Sequence, residues 1–154
     1  MRIQIKGNEK SDFRFRKVPG EHVEKIQIAV TTTANIIHAC KKCTKRNHGR
    51  LGLHKAFENL IHKSCGRTKH NKKTLDQLIE DVWISWVEPE KNSIYGLSWP
   101  CMSTDEIALT PYVMNKTHLF IAGTIIHELA HLSSADTASN SHQAESVLSQ
   151  CCKL

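Results

Sequence analysis

Five consecutive residues, His127-Glu128-Leu129-Ala130-His131, have the types and spacing to bind a divalent metal and do acid–base chemistry beside it. On an α-helix, residues four apart lie on one face about a turn apart, so both imidazoles can reach a single tetrahedral zinc ion. Glu128 is rotated by about 100° from its neighbour. That places it beside the metal instead of on it. There a carboxylate can take a proton from water and pass it to a leaving group. The chemistry such a set would serve is zinc-dependent hydrolysis. The competing reading is a buried, hydrogen-bonded His/Glu cluster with no metal. The helix that carries the motif favours zinc. Phe120, Ile121, Ala122, Ile125, Ile126, Leu129, Ala130 and Leu132 make it apolar nearly all round, as in a buried helix. Histidines and a glutamate there are costly unless paired or metal-bound.

A catalytic zinc usually takes three protein ligands and leaves one position for water. Three residues compete for the third place: Asp136 in the turn after the motif, and His142 and Glu145 one turn apart on a following helix. His142 is the first choice. A helix start can swing back over the site, and neutral imidazole suits zinc. Asp136 reads otherwise as a turn residue, and His142 and Glu145 as the surface of an amphipathic helix. Whichever does not bind metal can orient a ligand or the substrate. Cys40-x-x-Cys43 looks like half of a structural zinc site, whose other half would have to come from a pair such as His62-x-x-Cys65. Both pairs lie within helical patterns, so packing or disulfide formation is the favoured reading. The six cysteines (40, 43, 65, 101, 151 and 152) permit fifteen pairings, and they lean mildly towards an oxidising compartment.

The elements that must position this chemistry are written in the apolar periodicity. Residues 1–20 carry many charges, few periodic apolar positions and Pro19-Gly20, and read as an N-terminal arm or linker before a domain at 21–154. Val23, Ile26, Val30, Ile37 and Cys40 predict a helix to about Lys42, slightly weakened by Thr31-Thr32-Thr33. Leu53, Ala56, Phe57, Leu60 and Ile61 predict a second, with Gly66 just past it. Thr74 with Gln77 forms a capping box, and Leu75, Leu78, Ile79, Val82 and Trp83 predict a third. Ile94 to Met102 reads as a strand or hairpin segment, and Glu106 to Thr110 as a short strand before Pro111. A helix from about His118 to Leu132, a polar turn at 133–141 and a last helix from His142 to about Cys151 complete the pattern. The expected fold class is α+β, mainly helical, with a small edge sheet.

Length and composition agree with that picture and exclude others. The chain has 154 residues, enough for one domain with a core. No apolar run reaches about 18 residues, so no membrane span is expected. The longest, Phe120 to Ile126, contains Gly123 and Thr124. The start, Met1-Arg2-Ile3-Gln4-Ile5-Lys6, lacks the apolar region of a secretory signal. Export is then expected by a signal-independent route, with a cytoplasmic stage before it, or the chain is a piece of something longer. The net charge of +6 gathers at Arg14, Arg16 and Lys17 and between Lys63 and Lys73. Solvated loops explain it. Nucleic-acid binding is the weaker reading, because Arg67 to Lys73 contains no aromatic residue.

The stretch Ile107-Ala108-Leu109-Thr110-Pro111-Tyr112-Val113, followed by Ala122-Gly123-Thr124-Ile125-Ile126-His127-Glu128-Leu129-Ala130-His131, resembles the aspzincin metallopeptidases. This is the deuterolysin and lysine-specific endopeptidase group, with related bacterial toxin-type domains. The resemblance is sharp over about 105–145. It implies a zincin-like fold, zinc, and hydrolysis of amide bonds in peptides or proteins, with His127 and His131 as ligands and Glu128 as general base. In that family a Gly-Thr-x-Asp-x-x-Tyr-Gly segment supplies the third ligand and a catalytic tyrosine. Here His142 falls on the Asp position and Glu145 on the Tyr position, so the third ligand type is changed. By resemblance alone, the domain is expected to be the toxic tip of a secreted bacterial effector. Its partners would be a peptide, protein or peptidoglycan-peptide substrate, a secretion-system carrier, and an inhibitor or immunity protein. A non-catalytic zinc-binding module is the other class that the residues allow.

Overall fold

A computed structural model of the chain describes residues 1–3, 5, 15–40, 75–88, 94–98 and 105–133. Among them are a four-stranded mixed sheet and three α-helices, an α+β fold. In chain order the elements are β1 (Arg2–Ile3), α1 (Gly20–Cys40), α2 (Leu75–Asp81), β2 (Trp83–Trp86), β3 (Gly96–Ser98), β4 (Glu106–Leu109), a 3-10 turn (Pro111–Asn115) and α3 (His118–Ser133). The expected helix over 53–61 and the last helix over 142–151 lie outside the described residues, as does Thr74.

The strand order is β1-β2-β4-β3. β1 and β4 flank β2 in parallel, with Ile3 opposite Ile84 and Ile84 opposite Ile107. β3 closes one edge antiparallel to β4, with Gly96 opposite Leu109 and Ser98 opposite Ile107. One face of this sheet carries Val82, Ile84, Trp86, Ile107 and Leu109 into a core shared with α1 and α3. The two helices pack on each other as well as on the sheet, and α3 lies directly against β3.

α1 forms because Ile26, Ala29, Val30, Thr33 and Ile37 recur at helical spacing, and all five are buried. The threonine run does not break it. Each hydroxyl donates to the carbonyl four residues back: Thr31 to Gln27 at 3.0 Å, Thr32 to Ile28 at 2.8 Å and Thr33 to Ala29 at 2.8 Å. Back-bonding of this kind satisfies Thr33, which is otherwise fully buried. The Lys25 ammonium donates to the Met114 carbonyl at 2.7 Å and ties α1 to the turn that precedes α3.

The expectation of a helix through Trp83 is corrected. α2 stops at Asp81, and Trp83–Trp86 is a central strand. Val82 satisfies both patterns, closing the helical series 75, 78, 79, 82 and opening the alternating series Val82, Ile84, Trp86 that enters the core. Pairing on both sides settles the contest, as β-branched and aromatic residues suit a pleated surface. The stretch read as an arm also takes part in the fold. Arg2–Ile3 forms β1, and Phe15 and Val18 are buried. Arg16 and Trp86 exchange two backbone hydrogen bonds, of 2.7 and 2.9 Å.

No described helix is long and apolar enough to cross a membrane. The assignment of Ile84 to a buried central strand has a direct test. Ile84→Ala should lower unfolding free energy by about 2–5 kcal/mol, through lost burial plus a cavity. Ile28→Ala, at a position 47% exposed on α1, should stay within about 0.5 kcal/mol. Urea midpoints measure both, and equal shifts would contradict the placement of β2.

Candidate metal centre

α3 starts at a side-chain cap. The Phe120 backbone N–H donates to Thr117 Oγ1 at 3.2 Å, and the Ile121 N–H to the Thr117 carbonyl at 3.0 Å. Ile121, Ala122, Ile125, Ile126, Leu129 and Leu132 then face the core. The helix is not buried all round, however. Leu119 and Phe120 are exposed in the first turn, and Gly123, Thr124, His127 and His131 are half-buried along one side. This half-covered side carries the two histidines.

His127 and His131 meet one turn apart. Their Nε2 atoms are 3.0 Å apart, and their rings cross edge-to-face with centroids 4.6 Å apart. With both rings neutral, one Nε2 donates and the other accepts. The same two atoms suit a shared metal. Tetrahedral zinc with Zn–N bonds of about 2.0–2.1 Å requires nitrogens about 3.3–3.4 Å apart, a few tenths of an ångström from what is seen. Burial, and secondarily the charge of His127, hold the His131 imidazole below its ordinary range. Both effects favour the neutral form that a metal needs.

Glu128 points to the other flank, towards β3. It is buried, and Ser98 Oγ donates to its Oε2 at 2.7 Å. Burial pushes its carboxyl up from 4.5 to about 7, partly opposed by the Ser98 hydrogen bond. A base poised near neutrality can both accept and return a proton. The strand approaches closely because position 96 lacks a side chain. A Cβ on Gly96 would lie 3.0 Å from Thr124 Cγ2, 3.1 Å from Glu128 Cγ and 3.3 Å from Glu128 Oε1. Thr110 fixes the entry to β3, its hydroxyl donating to the Ile94 carbonyl at 2.6 Å and its N–H to the Tyr95 carbonyl at 3.2 Å.

The structure therefore pairs His127 with His131 on one flank of α3 and sets Glu128 on the adjoining flank, against β3. His142, Asp136 and Glu145 lie outside the described residues, as do Cys43, His62, Cys65 and the basic stretch 63–73. Among the described residues no three His, Cys, Asp or Glu side chains gather as a metal site, so the histidine pair supplies two donors. Sequence reasoning missed Ser98 and Gly96 as parts of the site. An isolated glycine in a strand pattern was the available signal, because it marks a close backbone approach.

The buried acid makes a pH-dependent prediction. Its folded-state pKa exceeds its unfolded value, so its contribution to stability is complete below about pH 4.5 and is lost as pH rises to about 7. In chelator-treated protein, Glu128→Gln should therefore gain on wild type across this window, by up to about 3 kcal/mol. Urea titrations at about pH 5 and about pH 8 read the difference, and one that does not grow with pH would make Glu128 an ordinary carboxyl. Compared with protein-family models, with curated proteins and with solved structures, the chain matches none, so its chemistry is read from its own residues.

Proposed function

We propose that the chain is a zinc-dependent metallopeptidase, hydrolysing amide bonds in peptides or proteins. The observation that carries this reading is the pairing of two converging Nε2 atoms, 3.0 Å apart, with a buried carboxyl on the next residue, held by Ser98 at 2.7 Å and pushed up by burial. An ordinary structural helix gains nothing from that combination.

His127 and His131 would hold the zinc, with His142 as the preferred third ligand and Asp136 or Glu145 as the alternatives. Zinc, when bound, supplies Lewis acidity that polarises the substrate carbonyl and makes water a better nucleophile at neutral pH. Glu128 removes a proton from the attacking water as its oxygen bonds to the carbonyl carbon. Glu128 then returns that proton to the amide nitrogen as the C–N bond breaks, leaving a carboxylic acid and an amine. Ser98 holds one carboxylate oxygen, so the carboxyl presents a fixed geometry. Gly96 keeps the strand against the helix and restricts water around the acid. The zincin-like fold and the role of a secreted toxin or effector rest on the resemblance to aspzincins.

The test is a paired measurement on the full chain. Wild type should retain stoichiometric zinc after dialysis and cleave a fluorogenic randomised peptide mixture. His127→Ala should lose the metal. Glu128→Gln should keep the metal while cleavage falls by about 10²–10⁴-fold. Among His142→Ala, Asp136→Ala and Glu145→Ala, the variant that loses zinc identifies the third ligand. Retained cleavage in Glu128→Gln, or zinc content unaffected by His127→Ala, would refute the proposal. Zinc retained with no cleavage by wild type would leave a binding module instead.

A further inference from the structure

Two turns before Glu128, on the same side of α3, lies a feature that hydrolysis does not require. Phe120 is 44% exposed and Tyr95 is 37% exposed. Their rings meet edge-to-face with centroids 5.1 Å apart. Lys116 Nζ stands 5.7 Å from each ring centroid. Among the described residues, an aromatic pair left in water with a cation over it offers a recognition surface.

The patch lies at one end of the α3–β3 seam that holds Glu128. Phe120, Thr124 and Glu128 follow one another at intervals of four along one face of α3. They lie against Tyr95, Gly96 and Ser98 in the same order, as the ring contact, the close approach at Gly96 and the Ser98 hydrogen bond show. Eight helical residues span about 12 Å, and the three steps from Tyr95 to Ser98 about 10 Å. An extended peptide covers that distance in about three or four residues. The patch is also pre-organised. Thr110 holds the Tyr95 carbonyl, the Thr117 cap holds the Phe120 N–H, and the Lys116 N–H donates to the Val113 carbonyl at 3.0 Å. Little ordering is left for binding to impose.

We infer that Tyr95, Phe120 and Lys116 form a specificity subsite for the substrate peptide. It takes a large apolar side chain, aromatic or long aliphatic, three or four residues from the scissile bond, with an acidic residue beside it. The rings supply the apolar wall. Lys116 supplies the charge that an acidic neighbour complements, in a chain of net charge +6. The inference deepens the metallopeptidase reading and rests on it for the identity of the occupant.

Fluorescence anisotropy tests the subsite separately from catalysis. The Glu128→Gln chain is titrated with fluorescein-labelled peptide mixtures, randomised except for a fixed Phe-Asp, Ala-Asp or Phe-Lys pair. Phe-Asp peptides should bind about tenfold more tightly than either counterpart. Adding Phe120→Ala should abolish the preference for Phe, and Lys116→Glu should reverse the preference for Asp over Lys. Both positions are exposed, so circular dichroism melting should confirm unchanged folding. With Glu128 intact, the same preference should appear in KM for peptides cut three or four residues from the Phe. Equal binding of the three mixtures, or a preference that survives Phe120→Ala, overturns the subsite. So does a dimer that Phe120→Ala abolishes, because that assigns the patch to a second copy of the chain. Selective binding without cleavage by the intact chain keeps the subsite and sinks the peptidase. Cleavage without selectivity does the reverse.

Discussion

Glu128 is a carboxyl taken out of water, and the arrangement around it follows from that constraint. A buried acid needs a hydrogen-bond donor, and Ser98 supplies one from the edge strand. Ser98 can reach it only if the strand lies close on the helix, which requires the missing side chain at Gly96. The strand holds that line because Thr110 pins its entry and because it pairs with β4. The helix holds its own because Ile121, Ile125, Ile126 and Leu129 are sunk in the core behind it. The histidine pair occupies the remaining side, half-buried and converging. A strand, a glycine, a serine and an apolar helix face thus act together to hold one carboxyl in place.

The two faces of the sheet contrast in the same terms. Towards the helices the central strands present apolar side chains whose packing is non-directional, and the edge strand adds Ser98, which bonds to Glu128. On the other face Phe15, Val87, Ala108 and the half-buried Leu97 form a smaller cluster, next to Ser85 and Glu106. Glu106 is buried, and Ser85 Oγ donates to its Oε1. Buried acids on both sides of so small a sheet therefore use the same device, a serine hydroxyl from a neighbouring strand. The difference lies in their surroundings. Glu128 has two imidazoles one and three residues away on its helix, whereas Glu106 lies in a strand between Asp105 and Ile107, opposite Trp83 of β2.

Legibility in the sequence followed the range of the interaction. α1, β4 and α3 were readable because each buries a face whose period is set by local geometry alone. β2 was misread because Val82 belongs to two periods at once, and only its pairing with β1 and β4 decides between them. Residues 1–20 read as an arm because Ile3, Phe15 and Val18 follow no common period, although Phe15 and Val18 are buried. The site divides in the same way. His127, Glu128 and His131 are neighbours on one helix, so their spacing was visible. Ser98 lies thirty residues from its partner, and nothing local in the sequence links them. Of the Cys and His pairs weighed as a second metal site, only Cys40 falls among the described residues, as the last residue of α1.

The energetic balance explains why such a helix needs so apolar a back. Ionising a carboxyl whose pKa is raised from 4.5 to about 7 costs up to about 3 kcal/mol above that range. A fully buried isoleucine contributes roughly 1.5–3 kcal/mol. α3 buries three of them completely, Ile121, Ile125 and Ile126, with Leu129 alongside. One or two of these side chains match the cost of the acid in size. The helix can therefore hold a destabilising, reactive side in a fixed position without unfolding its own end. Metal binding would act in the same direction, since a cation beside Glu128 favours its charged form. The apolar face is thus what allows the polar face to be assembled before any ligand arrives.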